Sequence, residues 1–312
     1  GNRYLNYLHH SYDPASGTCD QEGYFFRRAY SLLRPGGFLA FISTNTIAQG
    51  DTRAGGLEVI LRQGGQINSA IRSMPWPGLA AVEVSLITLH KGDWAQPRSL
   101  NKLSVEQINS FLADSEPLGP PNRLKANSNQ SFIGSYVLGK GFVLNPEEAQ
   151  ELIDKNDKNL DVLKPFINGE DLNNRPDQSP SRWVINFQDW PLNEADDEAE
   201  AERKGDILKG PPYAEDYPGC LAIVETEVKP VREETVQKKQ DAGKHLNNDD
   251  RAQVDKWWRY LRLRKELYDA IAVERRALAI ALTSKTLAFS WMPTNMVFSH
   301  ATGVLTLNGD EH

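Results

Sequence analysis

The chain has 312 residues, 39% of them hydrophobic and 25% charged, the composition of an ordinary globular protein long enough for two domains. No apolar run can span a bilayer and no charged-then-apolar leader opens the chain, so a cytoplasmic protein that does not enter a membrane is expected. The formal net charge of -7 would usually speak against a polyanion partner, and the two cysteines, Cys19 and Cys220, read as reduced thiols.

The first stretch, to about residue 95, reads as α/β. Tyr24, Phe25, Ala29, Leu32 and Leu33 recur at helical spacing and predict a helix whose Arg27, Arg28 and Arg34 reach water. Pro35-Gly36-Gly37 ends it, because proline cannot continue the ladder and glycine accepts a left-handed backbone. Phe38 to Ile42 is a continuous apolar run of the kind buried on both faces of a parallel sheet. A short helix is expected from Asp51-Thr52 through Leu61, closed by Gly64-Gly65. A strand follows over Ile67 to Ser73, then an irregular Met74 to Gly78, then a half-exposed antiparallel strand over Ala81 to His90. The sheet so predicted is mostly parallel with an antiparallel hairpin at its edge.

Residues 96–130 read as a linker punctuated by Pro97, Pro117, Pro120 and Pro121, with one short helix around Val105 to Leu112. Residues 131–312 read as an α+β domain. It carries short strands at Phe132 to Leu138, Phe142 to Leu144 and Trp183 to Phe187, and a small helix N-capped by Asn145. Gly139-Lys140-Gly141 reads as a hairpin turn. A long helix is predicted from Leu221 to Gln240, bent at Pro230, and another over Glu266 to Arg276. Further strands are expected at Ala279 to Thr283, Leu287 to Trp291 and Gly303 to Leu307.

Charge is unevenly distributed. Asn193 to Asp216 is acidic and reads as a mobile, solvated loop rather than a cation chelator, whereas Arg251 to Lys285 is basic. A polyanion is read by a local patch, so the second segment outweighs the total. Within it, Trp257, Trp258, Arg259, Arg262 and Arg264 interleave aromatics with cations able to pair with phosphate or a guanine edge. The same run also reads as an amphipathic helix with Trp257 and Leu261 in the core. Ser284 and Lys285 lie in a polar break, with Lys285 a candidate phosphate contact, and Arg175 and Arg182 bracket a proline-rich loop. His245 and His300 have no partner at metal spacing, and no metal site is expected.

Several long phrases carry a more specific signal: "FFRRAYSLLRPGGFLAFISTNTIAQGDTR", "LKPFINGEDLNNRPDQSPSRWVINFQDW", "VKPVREE", "WWRYLRLRKELYDAI" and "SKTLAFSWMPTNMVFSHATGVLTL". Together they resemble the C-terminal half of MmeI-like (type IIL) restriction–modification DNA methyltransferases. The resemblance spans nearly the whole chain, apart from the acidic segment. It implies the end of a class I methyltransferase domain over 1–95 and a target recognition domain over 131–312. The parent would transfer a methyl group from S-adenosylmethionine to adenine N6 in double-stranded DNA.

In such enzymes an (Asn/Asp/Ser)-Pro-Pro-aromatic loop holds the exocyclic amine of a base swung out of the duplex. Gly210-Pro211-Pro212-Tyr213 has glycine where the acceptor belongs and reads as a turn, and Gly119-Pro120-Pro121-Asn122 fails on both flanks. The glycine-rich cofactor loop is also missing. The expectation is therefore a cut piece with no catalytic residue of its own and no bound cofactor, both being supplied by an upstream methyltransferase region; whether an endonuclease region is also attached stays open. The resemblance places Trp76 in the target-base pocket, where an aromatic stacks on the flipped base, and Asp20 at the start of the helix after the catalytic loop. Asn45 and Thr46 leave the carboxyl end of a strand, where open α/β sheets bind ligands. The plainer readings are a tryptophan packed on a hairpin, a helix N-cap and loop polarity. Two other functions stay open: a non-catalytic specificity or scaffold subunit, and a class I methyltransferase piece acting on a protein or small molecule.

Overall fold

The computed structural model describes residues 2–15, 18–80, 82–116 and 124–306. It divides into two compact units, Gly1–Arg123 and Leu124–His312. Gly119 to Asn122 and Leu307 lie outside the described residues.

The first unit runs through helices α1 (Asn2–Ser11) and α2 (Gln21–Leu32), strand β1 (Phe38–Thr44), helices α3 (Gly50–Gly55) and α4 (Leu57–Arg62), and strands β2 (Gly65–Pro75), β3 (Glu83–Lys91), β4 (Arg98–Leu100) and β5 (Leu103–Val105). The Pro35-Gly36-Gly37 turn forms as predicted and is tied to β3 by Gly36 N–H to Lys91 O (2.8 Å) and Lys91 N–H to Gly37 O (3.0 Å). The apolar face predicted for α2 is rotated. Gly23, Tyr24, Phe26 and Tyr30 are buried, while Phe25 and Leu32 are exposed. Arg27 explains the rotation, because it turns inward instead of reaching water. Its guanidinium donates to the carbonyls of Tyr12 (2.7 Å), Asp13 (2.9 Å) and Gly55 (3.1 Å).

The sheet order is β1-β3-β2-β4-β5. β3 lies between β1 and β2, antiparallel to both, and only the β2–β4 pair is parallel. The expectation of a mostly parallel sheet with the hairpin at its edge is thus corrected: the hairpin's second strand inserts beside β1. Leu39, Phe41, Ile67, Ile87 and Leu89 pack with Phe26, Tyr30, Ile47, Leu57 and Ile60 on one face. The other face of β1 is half-exposed, with Phe38 50% and Ile42 54% exposed and Phe38 flanked by the His90 and Trp94 rings, so the run is not buried on both faces.

Residues 98–112 belong to this unit rather than to a linker. β4 and β5 extend its sheet, and Ile108 and Leu112 enter its core. No helix forms at Val105 to Leu112. The Asn109 side chain accepts the N–H groups of Phe111 (2.9 Å) and Ala113 (3.2 Å), which closes a turn where a helix would need those donors.

The second unit carries β6 (Ser131–Ile133), β7 (Val143–Leu144), α5 (Pro146–Lys155), β8 (Leu163–Ile167), α6 (Gly169–Asn174), β9 (Arg182–Ile185), α7 (Glu194–Lys204), α8 (Pro218–Glu227), α9 (Lys229–Asp241), α10 (Asn248–Asp255), α11 (Lys265–Ile271), β10 (Arg276–Ala281), β11 (Ser290–Pro293), β12 (Val297–Phe298) and β13 (Thr302–Leu305). Two sheets form, β11-β10-β13-β6 and β12-β8-β9-β7. The first is antiparallel throughout, and β12–β8 is the parallel pair of the second. Asn145 caps α5 with a full capping box to Glu148, as its sequence predicts. The predicted long helix is two, broken at Val228 with Pro230 in the first turn of α9, where a missing N–H costs nothing. The Glu266 to Arg276 helix stops at Ile271, and Arg276 begins β10. Gly139 to Gly141 is not a hairpin turn but enters a 3-10 turn over Lys140–Phe142.

Candidate nucleic-acid interface

At the carboxyl end of β1 the chain enters a 3-10 turn, Asn45–Ala48, and two anchors fix it. From α2, the Glu22 carboxylate accepts the Thr44 N–H (3.1 Å), the Thr44 hydroxyl (3.0 Å) and the Thr46 hydroxyl (2.8 Å). From the hairpin, Ser85 Oγ donates to Asn45 Oδ1 (2.8 Å), and Asn45 Nδ2 donates to Ser73 Oγ. Ser73, at φ +57°, sits in a register shift of β2 three residues before Trp76. Asn45, Thr46 and the Trp76 hairpin therefore meet at one end of the sheet. Both polar ends of Asn45 are engaged, so its side chain ties the turn to the hairpin. Trp76 is 41% exposed and does not seal a core, and its N–H donates to Val82 O (2.9 Å). Asp20 occupies the N-cap position of α2 without a capping bond from its side chain, and its own N–H goes to Thr52 Oγ1 (3.0 Å).

Sequence reading missed Glu22, two residues from the acid it singled out. Its signal is a first-turn acid facing two threonines that directly follow an apolar strand. Glu22→Ala is expected to speed amide exchange at Thr44 by at least tenfold, the loss of about one charge-assisted hydrogen bond. Unchanged exchange would count against the anchor.

The Trp257–Arg264 run is not a continuous exposed stripe. Trp257 and Trp258 are buried in the core of the second unit, Trp258 donating its ring N–H to Trp190 O (3.0 Å). Arg259 donates to Trp190 O (2.8 Å) and pairs with Glu200 (3.3 Å). Arg262 pairs with Asp249 (2.8 Å), and Arg264 starts α11 with φ +63° beside Glu266 (3.8 Å). The acidic segment, expected to be a mobile loop, supplies the counter-charges as an ordered helix. α7 is capped by Asn193, and its Asp196 and Glu200 reach Lys256 at 2.6 and 3.3 Å. Asp197 accepts the backbone N–H groups of Lys209 (3.2 Å) and Gly210 (2.8 Å), which fastens Gly210-Pro211-Pro212-Tyr213 as a turn. Burial would raise the Glu200 pKa, but the Lys204 hydrogen bond and the charges of Arg259 and Lys256 hold it down at about 2.

The remaining basic candidates come together instead. Asn173, at the end of α6, donates to the carbonyl of Thr283 (3.0 Å), which joins Arg175 and its loop to the turn holding Ser284 and Lys285. Ser284 Oγ accepts the Thr286 N–H (3.2 Å). Arg182, at the start of β9, reaches Glu170 of α6 at 3.6 Å. Lys285 is exposed and forms no ion pair among the described residues. Arg175 is exposed, donates to Ser179 Oγ (3.1 and 2.8 Å) and pairs loosely with Asp177 at 3.7 Å. Exposed pairs of this length hold little energy, so these cations can exchange partners for phosphate. His300 is exposed, its ring 4.6 Å from Tyr136.

Gly139 and Gly141 pack closely on Val228, Phe142 and Glu227. No helix among the described residues is long and apolar enough to cross a membrane.

No protein-family model and no curated protein matches the sequence. A solved structure does match the fold: the type IIL restriction–modification enzyme MmeI in complex with DNA, at a TM-score of 0.67 and 19% identity. The match covers 96% of this chain and 38% of that enzyme's chain.

Proposed function

We propose that this chain, which has the fold of part of a type IIL restriction–modification enzyme, is the DNA-gripping part of a site-specific adenine-N6 methyltransferase. The observation that carries the reading is the shared fold over 96% of the chain with an enzyme solved on DNA. In this reading the first unit is the end of the methyltransferase sheet, and the end of β1 with Trp76 faces the target adenine. The second unit is the target recognition domain, which meets the duplex through Arg175, Arg182, Ser284 and Lys285. β1 stands at the edge of its sheet, which fits a sheet continued by an upstream methyltransferase region that would bring S-adenosylmethionine and the catalytic tetrapeptide. The chain alone would then not methylate.

The test is duplex binding followed by fluorescence anisotropy over a salt series. Binding should fall steeply with salt, and the double variant Arg175→Glu/Lys285→Glu should lower the slope of log K against log salt by about two. Arg262→Glu, whose parent side chain is held by Asp249 at 2.8 Å, should lower that slope less. Salt-indifferent binding, or none at low salt, would sink the reading.

A further inference from the structure

The loop joining β2 to β3 is unlike the rest of the surface. From Met74 to Val82 the sequence is Met-Pro-Trp-Pro-Gly-Leu-Ala-Ala-Val, with no charged or hydrogen-bonding side chain except the indole. In a chain that is 25% charged, an exposed tip of this kind is built for something other than water. Leu79 stands at the tip fully exposed, flanked by Pro77 and Gly78, with Trp76 and Val82 half-exposed at its base.

The tip is not slack. Trp76 and Val82 close it through the 2.9 Å backbone bond, and β2 and β3 pair up to Pro75 opposite Glu83. The indole folds over Gly78, where a Cβ would lie 2.4 Å from Nε1, so only glycine fits beneath the ring. Asn45 braces the root of the hairpin through Ser73 and Ser85. An uncharged projection, closed at its base and carrying one fully bare aliphatic side chain, therefore stands at the end of the sheet where Asn45 and Thr46 gather.

We propose that this tip, and Leu79 above all, is a wedge that enters the base stack of duplex DNA and fills the place a displaced base leaves. The proposal rests on the reading of DNA as the partner. An apolar side chain gains by leaving water for the stack, and unstacking the step opposes it. A duplex already gapped by an abasic site spares part of that opposition.

The experiment measures binding of the chain to a short intact duplex and to the same duplex carrying one abasic site. The wild type should prefer the gapped duplex roughly tenfold, since unstacking a step costs a few kcal/mol. Leu79→Ser should erase the preference, whereas Leu79→Met should retain it. Leu79 packs against nothing, so loss of folding does not confuse the outcome. Equal preference in wild type and Leu79→Ser overturns the wedge. So does self-association that Leu79→Ser abolishes, since the tip is then a protein contact. Salt-independent or absent binding to both duplexes removes the DNA reading and the wedge with it.

Discussion

Glu200→Ala is expected to destabilise the second unit by roughly 1.5–3 kcal/mol, the loss of charge-assisted hydrogen bonds to cations that keep only part of their pairing. Glu200 is 8% exposed and sits against Lys256, Arg259 and Lys204. Removing the carboxylate leaves Lys256 with Asp196 alone and Arg259 with the Trp190 carbonyl and a distant Asp196. The same residue sets an acid limit. Its folded pKa, about 2, lies below the ordinary 4.5, so the unfolded chain binds protons more readily across that interval. The stabilisation is complete above about pH 4.5 and is lost as pH falls toward 2. Urea unfolding at neutral pH and near pH 3 measures both effects. A loss below about 1 kcal/mol in Glu200→Ala would show that α7 is decoration.

The second large effect belongs to Arg232 in α9. Its side chain is 3% exposed, and its guanidinium donates to four backbone carbonyls: Trp257 (3.1 Å), Arg259 (2.9 Å), Leu138 (2.7 Å) and Val137 (3.3 Å). Burial lowers its pKa to about 10. It clamps the Val137–Leu138 and Trp257–Arg259 segments to one helix and also stacks over Phe142, 5.3 Å from the ring centre. Arg232→Met relieves the burial of a charge but leaves those carbonyls without donors, for a net loss of about 3 kcal/mol. Arg232→Lys recovers only part of this, because an ammonium lacks the planar fork that spans two segments. An unfolding midpoint in Arg232→Met indistinguishable from wild type would refute the clamp.

What the sequence made legible followed from local rules. The Pro35-Gly36-Gly37 stop, the Asn145 cap with Glu148, and the strands at Ile67 and after Ala81 depend on neighbours a few positions away. What it hid depends on pairing across distance. The Phe38 to Ile42 run says "buried" but not on how many faces, because that depends on what packs against it. Trp257 and Arg259 carry the composition of a nucleic-acid stripe, and only α7, some sixty positions earlier, shows why they are interior. A trace of this was present: Asp196 and Glu200 stand at i,i+4 on one helix face, a spacing that suits a shared cation. The candidate site was half legible. Asn45, Thr46 and Trp76 do converge, while the tryptophans of the Trp-Arg run are interior and the proposed basic surface rests on Arg175, Arg182 and Lys285.

The Asn173–Thr283 hydrogen bond links loops 110 positions apart into one surface. Chimeras between relatives that exchange only the segment around Arg175, or only the turn at Lys285, would pair a loop from one parent with a platform shaped by another. Recombination that carries both segments together keeps that seam intact, so crossover points belong outside 169–286 rather than within it.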